Sequence, residues 1–213
     1  MRRSRSSALL GCVLGVLAAC GAPQVRSVPA CGDASKLVLG GQDDVDAAAG
    51  CRTVASVTIR TGAPLDLAPL AQLTVIRGEL RVGPSVALDD MTLGALESAD
   101  TIVIASNGNL HGVRLPKLMT AGRIAIEGNV ALTTISLPAL TAVRDLSVRG
   151  HGDLELLDIS ALTTVAGELY VADNPELTLF EAAALTRAGA IRLDNNASLD
   201  PKFVDALRSK IAP

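Results

Sequence analysis

Aromatic side chains are almost missing from this 213-residue chain, which has one Tyr, two Phe and no Trp. Carbohydrate sites and interface hot spots usually rely on such rings. Their scarcity argues against a lectin. Histidine is nearly as scarce: His111 and His151 are the only two, and neither has a cysteine or serine partner at motif spacing. Excess positive charge is missing too. Removing residues 1–19 takes away three arginines and no acids, leaving 16 basic and 22 acidic residues and a net charge of −6. That balance argues against nucleic acid as a partner. The N-terminal apolar run, Ala8 to Ala19, has only 12 residues, well short of the roughly 20 that span a bilayer as a helix.

That run does suit a signal peptide. Arg2, Arg3 and Arg5 precede it, and it ends in Leu17-Ala18-Ala19-Cys20. The pattern resembles a bacterial lipobox, which implies that Cys20 is lipidated and becomes the first mature residue. The alternative is an ordinary secretory signal cleaved near Ala19, with Cys20 free. If the sorting pattern of Gram-negative lipoproteins applies, Gly21, where an Asp would retain the protein, permits release to the outer membrane. The expected address is therefore the bacterial cell envelope, with the membrane reached through the N-terminal lipid. Residues 20–30 contain two prolines and no periodicity, and read as a tether.

Of the four cysteines, Cys12 leaves with the leader and Cys20 takes lipid. Cys31 and Cys51 remain in an oxidising compartment, and one disulfide is the simplest assignment. A two-cysteine metal site is the alternative, but it lacks further ligands nearby. Between these cysteines, Lys36-Leu37-Val38-Leu39 predicts a strand and Asp43 to Ala49 a short helix. Asp43, Asp44 and Asp46 either favour the helix N-terminus or form a cation loop; the glycine and distal glutamate of an EF-hand loop are absent.

From Val57 onward the chain repeats. The anchors Val57, Leu80, Ile102, Ile124, Leu146, Leu169 and Ile191 are spaced 22 or 23 residues apart. Two positions on, every residue is again apolar. Eight positions on, it is always leucine (Leu65 through Leu199), and sixteen on it is leucine again (Leu73 through Leu207). A fixed period in this range marks a solenoid whose units bury their apolar faces against each other. Positions 0 to +2 alternate as a strand does. Position +5 reads Gly62, Ser85, Asn107, Asn129, His151, Asn174 and Asn196, which predicts a turn whose side chains bond the main chain. Alternation returns at +11 and +13 (Val113 and Leu115, Ile135 and Leu137, Leu157 and Ile159), so a second short strand is expected. Asp200-Pro201 opens a C-terminal helix with apolar spacing at Phe203, Val204, Leu207 and Ile211.

The leucine-rich repeat pattern needs one residue fewer before the strand and one fewer before the last leucine. The segments Leu162-Thr-Thr-Val165-Ala-Gly167-Glu-Leu169-Tyr-Val171 and Leu73-Thr-Val-Ile76-Arg-Gly78-Glu-Leu80-Arg-Val82, with the Cys31 to Cys51 opening, resemble the receptor L domain more closely. That resemblance covers residues 31–213 and implies a mainly β, right-handed β-solenoid. It would have about seven 22-residue coils: a cap at 31–56 with a short helix and disulfide, coils at 57–199, and a cap helix at 200–211. No cysteine-rich module or transmembrane helix follows in this sequence, so receptor signalling is not implied.

The residues between inward positions form outward columns, at +1 (Thr58, Arg81, Val103, Ala125, Ser147, Tyr170, Arg192) and +3 (Arg60, Gly83, Ala105, Glu127, Arg149, Ala172, Asp194). This face is the candidate binding surface. Tyr170 flanked by Arg149 and Arg192 is its best local feature, with Arg81 further along. Acidic residues are spread rather than clustered, and the only pair expected to approach is Asp173 with Asp194. The expectation is a non-enzyme without metal or cofactor, whose face contacts other envelope proteins or serves no dedicated ligand; a solenoid hydrolase is the third reading.

Overall fold

The structure is a computed structural model that describes residues 31–210. The leader, Cys20, the tether and Ile211 lie outside the described residues. In chain order the elements are β1 (Gly32–Leu39), α1 (Gln42–Ala47), β2 (Thr53–Ile59), a 3₁₀ turn (Ala68–Leu70), β3 (Val75–Val82) and β4 (Asp90–Thr92). There follow β5 (Ser98–Ala105), β6 (Gly112–Arg114), β7 (Thr120–Glu127), β8 (Thr134–Ser136) and β9 (Ala142–Arg149). The chain ends with β10 (Leu156–Asp158), β11 (Thr164–Ala172), β12 (Leu179–Glu181), β13 (Arg187–Asp194) and α2 (Pro201–Lys210).

The molecule is a β-solenoid of parallel stacked coils. An eight-stranded sheet runs β1-β2-β3-β5-β7-β9-β11-β13, and a five-stranded sheet runs β12-β10-β8-β6-β4. The anchors pair in register from Val57 with Leu80 through to Leu169 with Ile191. Leu37 pairs with Val57, so the cap adds one further rung. The leucines at +8 and +16 fill the space between the sheets; Leu132, Leu140, Leu154 and Leu162 have no exposed surface. Each contributes about 1.5–3 kcal/mol of gross burial.

The long strands run seven to nine residues, although alternation alone marks only positions 0 to +2. They begin about four residues earlier, where Ile76, Ala99, Val143 and Val165 also point inward. The short return strands sit where +11 and +13 alternate. The first and last coils lack them, for different reasons. In the first, Pro69 removes a backbone donor and the 3₁₀ turn takes the place. In the last, α2 does, and Leu207 still fills the +16 position, 3% exposed.

The 23-residue spacings also have a place. They end at Leu80 and Leu169, and in β3 and β11 the register shifts by one residue against both neighbours. These bulges contain Gly78 and Gly167. A Cβ on Gly78 would stand 2.9 Å from the Ala55 carbonyl, and one on Gly167 would meet the Asp145 carboxylate. A side chain does not fit at either extra residue.

At the N-terminal end the disulfide joins Cys31 to Cys51. Asp44 in α1 accepts the N–H groups of Gly40 and Gly41 at 3.0 and 3.2 Å, which is capping. At the other end, Asp200 accepts the N–H of Lys202 at 2.8 Å as an N-cap. Phe203 of α2 meets Phe180 edge-on, with ring centroids 5.5 Å apart.

The +5 column departs most from expectation. Its residues are not surface turn residues; Ser85, Asn107, Asn129, His151 and Asn174 are buried. The left-handed backbone falls one position earlier, at Ser106, Gly128, Gly150, Asp173 and Asn195, with φ between 55° and 73°. That bend turns the next side chain inward. There it bonds the neighbouring coil's main chain, while Asn107 also reaches its own coil at the Ala105 carbonyl.

Candidate functional site

Outward columns follow from strand pairing. Arg81 lies beside Thr58 and Val103, and Tyr170 lies between Ser147 and Arg192. Parallel strands are about 4.8 Å apart, so Tyr170 and Arg192 are adjacent. Arg81 is four strands from Tyr170, about 19 Å away on the same spacing.

The Arg192 guanidinium stacks over the Tyr170 ring at 4.7 Å from its centroid, a cation–π contact. Arg192 also reaches Asp194 at 3.5 Å and Glu168 at 3.8 Å. Arg149 pairs with Glu127 at 2.9 Å, and the Ser147 hydroxyl sits 3.4 Å from the same carboxylate. The hydrogen bond from Arg149 holds Glu127 below the usual carboxylate range despite some burial. In return, Glu127 raises Arg149 above its ordinary value, with smaller contributions from Tyr170 and Asp173. Arg81 pairs with Glu79 at 2.7 Å. Arg81, Arg149 and Arg192 thus each have a carboxylate beside them. The feature is a Tyr170–Arg192 stack edged by two ion pairs, with Arg81 as a separate pair toward the N-terminal end.

Two of the partners, Glu79 and Glu168, went unnoticed in the sequence because they precede the anchors, outside the segment read as strand. Their position two residues before Arg81 and Tyr170 was the available signal. Not every expected outward residue is exposed: Ala125 is 4% exposed and Ala172 not at all. Ala172 lies in register between Arg149 and Asp194, whose longer side chains flank it.

The acidic pair considered for hydrolysis is otherwise engaged. Asp194 contacts Arg192, and Asp173 accepts a hydrogen bond from the Asn195 amide at 2.8 Å. Among the described residues, no three His, Cys, Asp or Glu side chains gather as a metal site would require. His111 is exposed, whereas His151 is inside the core.

Two clefts lie away from this face. One, of about 480 Å³, separates the 3₁₀ turn from β4 and is lined by Leu65, Leu67, Asp66, Asp89 and Asp90. Asp90 is paired with Arg114 at 2.7 Å, and Asp66 accepts the Ala68 N–H at 2.9 Å. The other, of about 410 Å³, lies between β12 and α2 against Phe180 and Phe203. No described helix is long and apolar enough to cross a membrane. Comparisons with protein-family models, with curated proteins and with solved structures found no match.

Proposed function

We propose that this chain is a non-catalytic, lipid-anchored protein of the bacterial cell envelope whose long sheet presents a protein-contact face. The observation that carries the reading is the Tyr170–Arg192 stack on the long parallel sheet. Among the described residues it is the one aromatic–arginine stack, with Tyr170 half-buried and Arg192 exposed, and Tyr and Arg are enriched in interface hot spots. The anchor rests on the leader ending in Leu17-Ala18-Ala19-Cys20, and the outer membrane is the proposed destination because Gly21 follows. The receptor L domain resemblance contributes a scaffold, not a ligand.

A specific observation favours a second reading, a passive scaffold with no dedicated ligand. Arg81, Arg149 and Arg192 are neutralised by acids of the same face, so the arginines at and near the stack offer a partner little unpaired charge. Affinity capture with the full-length chain from detergent extract of the envelope separates the two. The contact reading predicts a reproducible partner lost on Tyr170→Ala and on Arg192→Glu. A partner retained by both variants, or none in repeated extracts, leaves the passive scaffold. Palmitate labelling tests the anchor: incorporation should vanish in Cys20→Ala, and equal labelling of both chains would refute it.

A further inference from the structure

The buried +5 column forms a hydrogen-bonded ladder with one rule. From Asn129 to Asn196 each side chain accepts the N–H of its counterpart one coil back and donates to the carbonyl of residue +2 in that coil. Asn107 makes only the donation, to Val82 at 3.3 Å, its Oδ1 having no partner among the described residues, and Ser85 donates to the Thr61 carbonyl instead. Asn129 accepts the Asn107 N–H at 3.0 Å and donates to Ile104 at 3.0 Å. Asn174 accepts the His151 N–H at 3.2 Å and donates to Val148 at 3.2 Å. Asn196 repeats this with Asn174 and Val171 at 3.3 and 2.9 Å.

His151 occupies the same position without an amide. Its Nε2 lies 3.1 Å from the Ile126 carbonyl, which can only accept, so Nε2 carries the proton. Nδ1 then has a free lone pair and accepts the Asn129 N–H at 3.2 Å. The same Nδ1 is also 3.2 Å from the Asn129 carbonyl oxygen. The neutral ring thus obeys the ladder's rule, and a protonated ring cannot. Asparagine meets the rule at the neighbouring rungs, so the packing does not demand histidine. What histidine adds is a place for a proton.

We propose that His151 is an acid-sensitive latch between the fourth coil, anchored at Ile124, and the fifth, anchored at Leu146. When a proton adds to Nδ1, that nitrogen stops accepting the Asn129 N–H and donates to the Asn129 carbonyl instead. The Asn129 N–H is left buried without its acceptor, and a positive charge sits in the core. Both effects weaken this seam, and in a solenoid a seam opens locally because units contact only their neighbours. The surroundings of the ring are otherwise neutral: Ile126 and Asn129 on one side, Asn174 on the other. Glu127 is the one charged group acting on it, and its carboxylate is already tied to Arg149. Burial is the larger influence and holds the ring below the ordinary histidine range.

The sign follows from linkage. A ring that resists protonation when folded stabilises the closed seam fully above the open-state value of about 6.5. That stability is lost as pH falls below it. One proton taken up on opening raises the open fraction about tenfold between pH 7.5 and 5.5.

Amide hydrogen exchange read residue by residue on the whole chain tests this, after correction for intrinsic rates. Protection at Asn129 should fall about tenfold over that range. The Asn107 amide, whose acceptor is an asparagine, should hold. In His151→Asn, the column's own residue, Asn129 should lose its pH dependence. Equal loss in wild type and His151→Asn, or flat protection in wild type, overturns the latch. If His151→Asn fails to fold, imidazole ¹⁵N shifts of the wild type decide. The latch requires a bare Nδ1 at pH 7.5 and a titration midpoint below 6.5, and a midpoint at or above 6.5 contradicts it.

Discussion

Asn129 shows how a single side chain ties its coil to the one before it. Its Oδ1 accepts both the N–H and the amide group of Asn107, at 3.0 and 2.9 Å, while its Nδ2 closes the Ile104 carbonyl. Those groups lie where the long strand β5 ends, at residues with no exposed surface. Asn129→Ala would orphan the Asn107 N–H and the Ile104 carbonyl at about 1–3 kcal/mol each, while the Asn107 amide group keeps the Val82 and Ala105 carbonyls. The expected loss is about 3 kcal/mol, seen as a lower urea midpoint with an unchanged slope. Leu132→Ala, in a site with no exposed surface, should cost a comparable 2–5 kcal/mol through its cavity. The surface pairs are different. Arg149→Ala should change stability at neutral pH by less than about 1 kcal/mol. Glu127 is held low by Arg149, so its contribution is present above about pH 4.3 and fades as pH falls through the carboxylate range. The polar identity of the +5 column was legible in the sequence, but its direction was not. A run such as Gly128-Asn129-Val130 reads as an exposed turn unless the left-handed residue before the asparagine is known to aim it inward.

At the scale of the elements, spacing was more informative than alternation. Anchors 22 residues apart became strand pairs in direct register, and the two 23-residue steps into Leu80 and Leu169 became bulges. Gly167→Ala must push aside the Asp145 carboxylate, which also accepts the Glu168 N–H at 3.2 Å. A loss of about 1–3 kcal/mol is expected from such overpacking, measured by denaturant unfolding; an unchanged midpoint would mean that the bulge has room. Strand length was under-read because the first half of each strand carries small or bulged residues, Ala99, Ala121 and Gly167 among them, which blur a period of two. The terminal helix was legible from its cap. Asp200→Ala should cost about 1 kcal/mol, and exchange should rise in α2 before it rises in β11.

For the whole molecule, the repeat explains packing and says little about partners. The leucines and anchors that recur in register are inward, so columns of apolar identity mark the core. The candidate face had to be sought in what varies, and Tyr170 beside Arg192 was visible that way. The pairing of Arg81 with Glu79 and of Arg192 with Glu168 was not, because those acids lie outside the segment read as strand. Glu168 and Asp194 share Arg192 with the Tyr170 ring. The central claim is therefore about direction: the long sheet meets a partner and the short sheet does not. Photo-crosslinking in cells that produce the protein tests it, with the reactive residue placed at Val103 on the long sheet or at Glu155 beside the short one. The account predicts a discrete adduct from Val103 that disappears when Tyr170→Ala is added, and none from Glu155. Adducts that are alike from both positions, or a Val103 adduct indifferent to Tyr170, would contradict it.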